Sequence, residues 1–341
     1  MEAPAGCGMD PVPRWPGAAP RLRARGILPG ALTPRAPRAI LPRMSTPLAP
    51  GLAALTLPAL PPRARDSHKG DYGRVLVVAG SRHYPGAAIL AALGAGRAGA
   101  GLVQLAVPHS LVPAVVAAAP FAIVLPCHET AEGGFALSAA DELRAAAAQA
   151  SAVVLGPGLG REVETGRLLA RLLRDVHQPL VLDADALNLL AGLGDEPFAA
   201  RRAATDAPTV LTPHPGEFAR LTGLPKPKGD ERLTQAARYA LEHGVIVVLK
   251  GAGTVVTDGR RAWVEPAGNP GMATGGMGDV LAGMLGALLA VPHVLPDALG
   301  AAALAVHAHA LAGDAAARDL GEVGVLPGDV ARRVGKVLEA R

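Results

Sequence analysis

Short runs of apolar residues, without polar alternation, recur from residue 74 to residue 249 and are separated by longer stretches of helical character. The runs predict strands over 74–79, 102–107, 122–125, 152–155, 180–182, 209–211 and 245–249. Helices are predicted over 87–99, 139–149, 162–175 and 231–243, and 103–126 reads as strand, helix and strand. A strand that is apolar at every position has both faces buried. Strands of this kind, alternating with helices, demand a parallel sheet covered on both sides. Thr254–Thr257 and Ala262–Glu265 flank Asp258-Gly259, a hairpin signal that adds a small antiparallel edge. Further helices are expected over 278–290, 297–312 and 327–339. Aromatic residues are only 3% of a chain that is 50% apolar, so the core is built from closely packed small side chains.

Residues 1–62 have a different texture. They hold 14 of the 32 prolines, a density that prevents a regular ladder or a buried core. They are expected to form a disordered extension ahead of one domain spanning 63–341. Two other readings stand for the first part: a transit peptide, and a translation start at Met44. Positive charge concentrates there too. Residues 1–43 carry seven Arg against two acids, and the rest of the chain holds 26 basic and 27 acidic residues. The folded part is therefore nearly neutral and gives no reason to expect nucleic-acid binding, although the pI is about 9.4. Val103–Pro126 is broken by prolines and Ala298–Gly313 is too short, so no membrane span is expected. Cys7 and Cys127 show no metal or disulfide spacing, which makes the cytoplasm the expected location.

The chemistry-bearing residues follow strands, where open α/β sheets bind their ligands. Asn269–Asp279 is dense in glycine and runs into an apolar helix, Val280–Ala290. A helix start offers free N–H groups and partial positive charge, which suit a phosphate. A carboxylate at Asp279 would repel that phosphate unless it takes a proton from an attacking hydroxyl. Helix capping is the plainer role for an acid at this position. Gly156-Pro-Gly-Leu-Gly160 lets a backbone approach a ligand or forms a tight turn. Asp183 and Asp185 end a strand, where they hold Mg²⁺ through water, orient a hydroxyl, or cap the next helix. His214 and Glu217 sit in a loop stiffened by two prolines. Lys250-Gly-Ala-Gly-Thr254 pairs a lysine with exposed amides, suited to a nucleotide, or is a surface bulge. Gly94–Gly99 matches G-x-G-x-x-G but follows a helix and precedes a strand, the reverse of a dinucleotide fingerprint. Its glycines are expected to end a helix and allow close packing. His307 and His309, two apart on one helix, point to different faces and are expected to be core or surface residues.

These motifs occur in one order: Ser67–Arg74, Pro85–Ala88, Gly156–Gly160, Leu182–Asp185, Thr212–Phe218, Lys250–Thr254 and Asn269–Gly283. Over about residues 66–338 the chain resembles the ADP-dependent NAD(P)H-hydrate dehydratases of the ribokinase-like superfamily. The resemblance implies a three-layer αβα, doubly wound fold. It implies repair of the (6S) hydrates NADHX and NADPHX, with ADP (or ATP) as phosphoryl donor, Mg²⁺ as cofactor, and AMP and phosphate as products. Substrate contacts carry over to Ala87, Gly158, His214 and Asp279, with Asp279 as the catalytic base. Nucleotide contacts carry over to Lys250, Gly251, Ala252, Gly253, Thr254 and Gly278. Gly275, Gly276, Met277 and Gly278 form the expected anion hole. Glu217 occupies the metal-placing position of related sugar kinases, although His214 stands where those kinases have Asn. The resemblance also implies a tetrameric homo-oligomer and, because no epimerase region is recognisable, a separate epimerase as functional partner. A small-molecule kinase of the same fold and a nucleotide-binding module without chemistry are the competing readings.

Overall fold

The computed structural model describes residues 52–340. Ten strands form one sheet: β1 (Ala53–Ala54), β2 (Arg74–Val78), β3 (Leu102–Pro108), β4 (Ile123–Cys127), β5 (Ala152–Leu155), β6 (Leu180–Leu182), β7 (Thr209–Leu211), β8 (Ile246–Leu249), β9 (Val255–Thr257) and β10 (Arg261–Val264). Their spatial order is β1-β10-β9-β8-β7-β6-β5-β2-β3-β4. From β8 to β4 every pair is parallel, and β9 is antiparallel to both its neighbours. The expected architecture is therefore present: a mostly parallel sheet with antiparallel strands at one edge.

Helices cover both faces, and the strand period of two decides which residue meets which layer. Val75 and Val77 of β2 join the cluster packed under α1 (Pro85–Arg97), α9 (Met277–Leu289), α10 (Ala298–Leu320) and α11 (Pro327–Glu339). Leu76 and Val78 face the opposite cluster, under α3 (Ala140–Ala148), α4 (Val163–Asp175), α5 (Asp185–Leu190), α6 (Glu196–Ala204), α7 (Pro215–Thr222) and α8 (Glu231–His243). A further helix, α2 (Val112–Ala118), joins β3 to β4.

After β2 the chain builds outward through β3 and β4, then returns to place β5 on the other side of β2. That reversal opens a crevice beyond the carboxyl ends of β2 and β5. The loops that follow these two strands meet there, with the Gly80 N–H donating to the Pro157 carbonyl at 2.8 Å.

Three expectations differ from the structure. The expected disordered extension, 1–62, lies outside the described residues as far as residue 51, but residues 52–62 take part in the fold. Ala53–Ala54 pairs in parallel with β10, and Leu55 is buried. The prolines that follow, Pro58, Pro61 and Pro62, lie past the paired residues and interrupt no ladder. Helix α10 continues to Leu320 rather than ending near residue 312. Gly313 does not stop it. A Cβ there would collide with the Met272 side chain, so glycine is needed for packing. Finally, α7 occupies what reads as a proline-stiffened loop. Pro215 is its first helical residue, a position where the missing N–H costs nothing.

Candidate functional site

Asp279 lies in the first turn of α9, the helix that begins at the glycine-dense stretch. Gly276 precedes the helix with φ 93°, a left-handed conformation that a side chain would strain. A Cβ at Gly276 would also come within 2.5 Å of Leu90. The turn is bare because both backbone and neighbours require it. The first-turn amides of a helix have no carbonyl one turn back. Met277 is an exception, since its N–H meets the Thr274 carbonyl at 3.4 Å, and its side chain is buried in the core. Of the four residues expected to form the anion hole, Gly275, Gly276, Met277 and Gly278, the Met277 amide has this contact within the turn.

Other elements fix the entry to this turn. The Asn269 side chain accepts from the Gly271 N–H at 3.0 Å and donates to Asp314 of α10 at 2.9 Å. Asp314 also accepts from the Gly268 N–H at 3.1 Å. Asp314 gave no signal in the sequence; only the packing of α10 brings it to the loop.

Lys250 follows β8. Its ammonium donates to Asp183 Oδ1 at 2.6 Å, and Thr212 Oγ1 donates to the same oxygen at 2.6 Å. A Cβ placed on Gly278 would lie 3.1 Å from Lys250 Nζ, so the lysine reaches the first turn of α9. Burial opposes the charge on Lys250. Asp183, Glu217 and Asp279 more than offset it and hold the lysine pKa above its ordinary value. The Gly251–Thr254 turn needs its glycines, with φ 142° at Gly251 and 64° at Gly253. Arg232 of α8 braces the turn from behind, donating to the Leu249, Lys250 and Ala252 carbonyls. Arg232 is a further residue that sequence reasoning missed, and Thr212, which opens the Thr212–Phe218 motif, had no role assigned to it.

His214 caps α7. Its Nδ1 accepts from the Gly216 and Glu217 amides at 2.9 and 3.3 Å, and the Glu217 carboxylate accepts from the His214 N–H at 2.8 Å. This is a reciprocal cap, with proline at the first helical position and the acid two residues later. Burial, then Lys250 and Arg220, push the His214 pKa down, and Nδ1, which accepts both amides, leaves Nε2 as the nitrogen that donates. Burial raises the Glu217 pKa, against the pull of Lys250.

Ala87 and Gly158 meet at the crevice between β2 and β5. A Cβ on Gly158 would come within 2.9 Å of the Ala87 Cβ and 2.7 Å of that of Tyr84. Gly158 also has φ 64°. Asp183 and Asp185 part company across Ala184, the sole non-glycine residue with positive φ among those described. Asp183 turns inward to Lys250. Asp185 accepts from the Gly160 N–H at 3.1 Å and from Arg161 Nε at 3.0 Å, which secures the glycine loop.

Asp279 faces this collection of charge. Burial, chiefly, with Asp183, Asp185 and Glu217, raises its pKa to about 7 against the opposing effect of Lys250. A carboxylate that gains and loses its proton near neutrality is suited to general-base work. The remaining expected residues are elsewhere. His307 is buried against both Glu265 oxygens at 3.1 Å, and burial lowers the His309 pKa to about 4. Among the described residues no group of three or more His, Cys, Asp or Glu is arranged to hold a metal ion.

Comparison with known proteins places the chain in a family. The family described as NAD(P)H-hydrate dehydratase matches residues 75–335. The chain is 41% identical over 283 residues to the bifunctional NAD(P)H-hydrate repair enzyme of Thermofilum pendens, covering 82% of this chain and 52% of that protein. It is 38% identical over 275 residues to the ADP-dependent (S)-NAD(P)H-hydrate dehydratase of Lactiplantibacillus plantarum, covering 80% and 90% respectively. The ADP/ATP-dependent NAD(P)H-hydrate dehydratase of Bacillus subtilis, co-crystallised with ATP and Mg²⁺, superposes with a TM-score of 0.68 at 30% identity, over 83% of this chain and 94% of that one. The chain spans about half the length of the bifunctional relatives it matches.

Proposed function

The chain belongs to the NAD(P)H-hydrate dehydratase family, and from that premise we propose that it restores NADH and NADPH from their (6S) hydrates with ADP as phosphoryl donor. The observation that carries the reading is the meeting of Asp279, its pKa raised to about 7, with a glycine turn and Lys250 at one helix start.

Hydroxide is a poor leaving group from C6 of the hydrated ring. In the proposed reaction Asp279 takes the proton of the C6 hydroxyl as its oxygen attacks the β-phosphorus of ADP. The bond from that phosphorus to the bridging oxygen breaks, and AMP departs. The amides of Gly275, Gly276 and Gly278 and the Lys250 ammonium stabilise the migrating charge. The C6–O bond then breaks, pushed by the ring nitrogen, and phosphate leaves with the former hydroxyl oxygen. Loss of the C5 proton restores the dihydropyridine. Ala87, Gly158 and His214 line the side from which the substrate ring enters, and Gly251–Thr254 receives the nucleotide. Gly158 has no room for a side chain beside Tyr84 and Ala87, which sets how closely the two loops approach.

A bound Mg²⁺ would supply charge neutralisation for the nucleotide phosphates. Glu217 is the residue that would hold such an ion, since a carboxylate accepting the His214 N–H on one oxygen keeps further lone pairs for a metal or its water. No step above depends on that ion.

Among the described residues no helix is long and apolar enough to cross a membrane. We place the reaction in the cytoplasm, in a homo-oligomer, working together with an epimerase activity for the hydrate. The test follows absorbance near 340 nm after adding ADP to hydrated NADH. Recovery together with AMP supports dehydration. A stable phosphorylated product indicates a kinase, and binding without turnover indicates a sensing module.

A further inference from the structure

Asp183 Oδ2 is a buried carboxylate oxygen with no hydrogen-bond partner, the sole carboxylate oxygen of that kind among the described residues. Its companion Oδ1 is used twice, by Thr212 Oγ1 and by Lys250 Nζ, each at 2.6 Å. The Asp183 side chain is 1% exposed and that of Lys250 20%. A Cβ on Gly278 would lie 3.7 Å from Asp183 Oδ2 and 3.1 Å from Lys250 Nζ. The ion pair therefore stands against the first turn of α9, one residue before Asp279.

A buried ion pair is a poor source of stability, because taking both charges out of water offsets their attraction. Its use here is geometric. The lysine arm is flexible, and two other carboxylates, Glu217 and Asp279, act on its charge. Pairing with Asp279 would place a cation on the carboxylate that has to accept a proton, and would weaken it as a base. Two donors on Oδ1 fix the Asp183 carboxylate and tie the ammonium to it.

We propose that Asp183 is a positioning residue: it holds the Lys250 ammonium against Gly278 in the first turn of α9, where the migrating phosphoryl group arrives, and keeps it off the Asp279 carboxylate. Thr212 sets the orientation of Asp183. This role rests on the dehydratase reading and gives Asp183 no contact with the reacting atoms.

The test is a double-mutant cycle on the full chain, with kcat for hydrated NADH and KM for ADP measured in each variant. Asp183→Asn is expected to lower kcat about 100-fold while KM for ADP changes by less than about threefold. In a Lys250→Met background, Asp183→Asn should cost less than about threefold, since the lysine it positions is gone. An equal loss in both backgrounds would show a structural role and overturn the proposal, as would an unchanged kcat in Asp183→Asn. Should Asp183→Asn not fold, Thr212→Val replaces it. It is expected to lower kcat about tenfold in the wild-type background and to have little effect beside Lys250→Met. Equal losses again overturn the role. A wild-type chain that turns over no hydrated NADH with ADP refutes the dehydratase reading and this inference together. Normal wild-type turnover with additive losses refutes the positioning role alone.

Discussion

Asp279 combines two properties that pull against each other: a carboxylate, and a place at a helix start next to an expected phosphate. Removing its charge without changing its shape separates them. Asp279→Asn is expected to keep the fold and lower kcat by roughly three orders of magnitude or more. The raised pKa gives two pH predictions. The base works only when ionised, so kcat/KM should fall about tenfold per unit below pH 7 and level off above it, and Asp279→Asn should lose that limb. The stability effect has the opposite sign. A carboxyl whose folded pKa lies above its unfolded value contributes stability below the unfolded value and loses it as pH rises through about 7. Thermal unfolding should therefore show Asp279→Asn gaining on the wild type between pH 5 and pH 8. A variant that instead loses ground to the wild type as pH rises over that range would contradict the assigned shift. Asp279, Lys250 and His214 were legible because each ends a strand or opens a helix beside glycine or proline. The roles of Thr212, Arg232 and Asp314 were not, since a common polar residue acquires its role from the segment that folds against it.

Helix α9 is placed by contacts too close for side chains. A Cβ at Gly94 of α1 would collide with the Val280 carbonyl, and one at Gly283 would collide with the Ala91 carbonyl. The Gly94–Gly99 pattern thus serves packing, with Gly99 leaving the helix at φ 100°. Because α9 carries Asp279, these glycines set the distance between the proposed base and the crevice. Gly283→Ala is expected to destabilise the fold by about 1–3 kcal/mol or more and to lower kcat by shifting α9. Gly328→Ala in α11, with no atom within 4 Å of the added methyl, should leave both unchanged. Thermal melts and turnover on the two variants check this. Strand positions were readable from unbroken apolar runs, and β5, β6 and β7 have the expected bounds. Helix α7 was hidden because two prolines suggest a loop until the cap formed by His214 and Glu217 is recognised.

At the scale of the molecule, the order of the strands makes the site. Reversal at β2 and β5 brings Ala87 and Gly158 together, while β6, β7 and β8 deliver Asp183, His214 and Lys250 from successive strand ends. Helix–strand alternation makes the parallel sheet legible. The pairing of β1 was not, because a two-residue strand among prolines has no period to detect. That strand predicts a difference between two shortened chains. Burying a leucine contributes about 1.5–3 kcal/mol, and Leu55 is buried while Leu57 and Leu60 pack against the same core. A chain starting at residue 63 should therefore melt lower than one starting at residue 52. Equal melting temperatures would show that the β1 edge adds nothing.

The account depends most on the hydroxyl of the hydrate becoming a phosphate ester before it leaves. Hydrated NADH carrying ¹⁸O at C6, turned over with unlabelled ADP, tests this in one mass measurement. Inorganic phosphate holding one ¹⁸O atom is the predicted result. Unlabelled phosphate, with the isotope released into water, would contradict it.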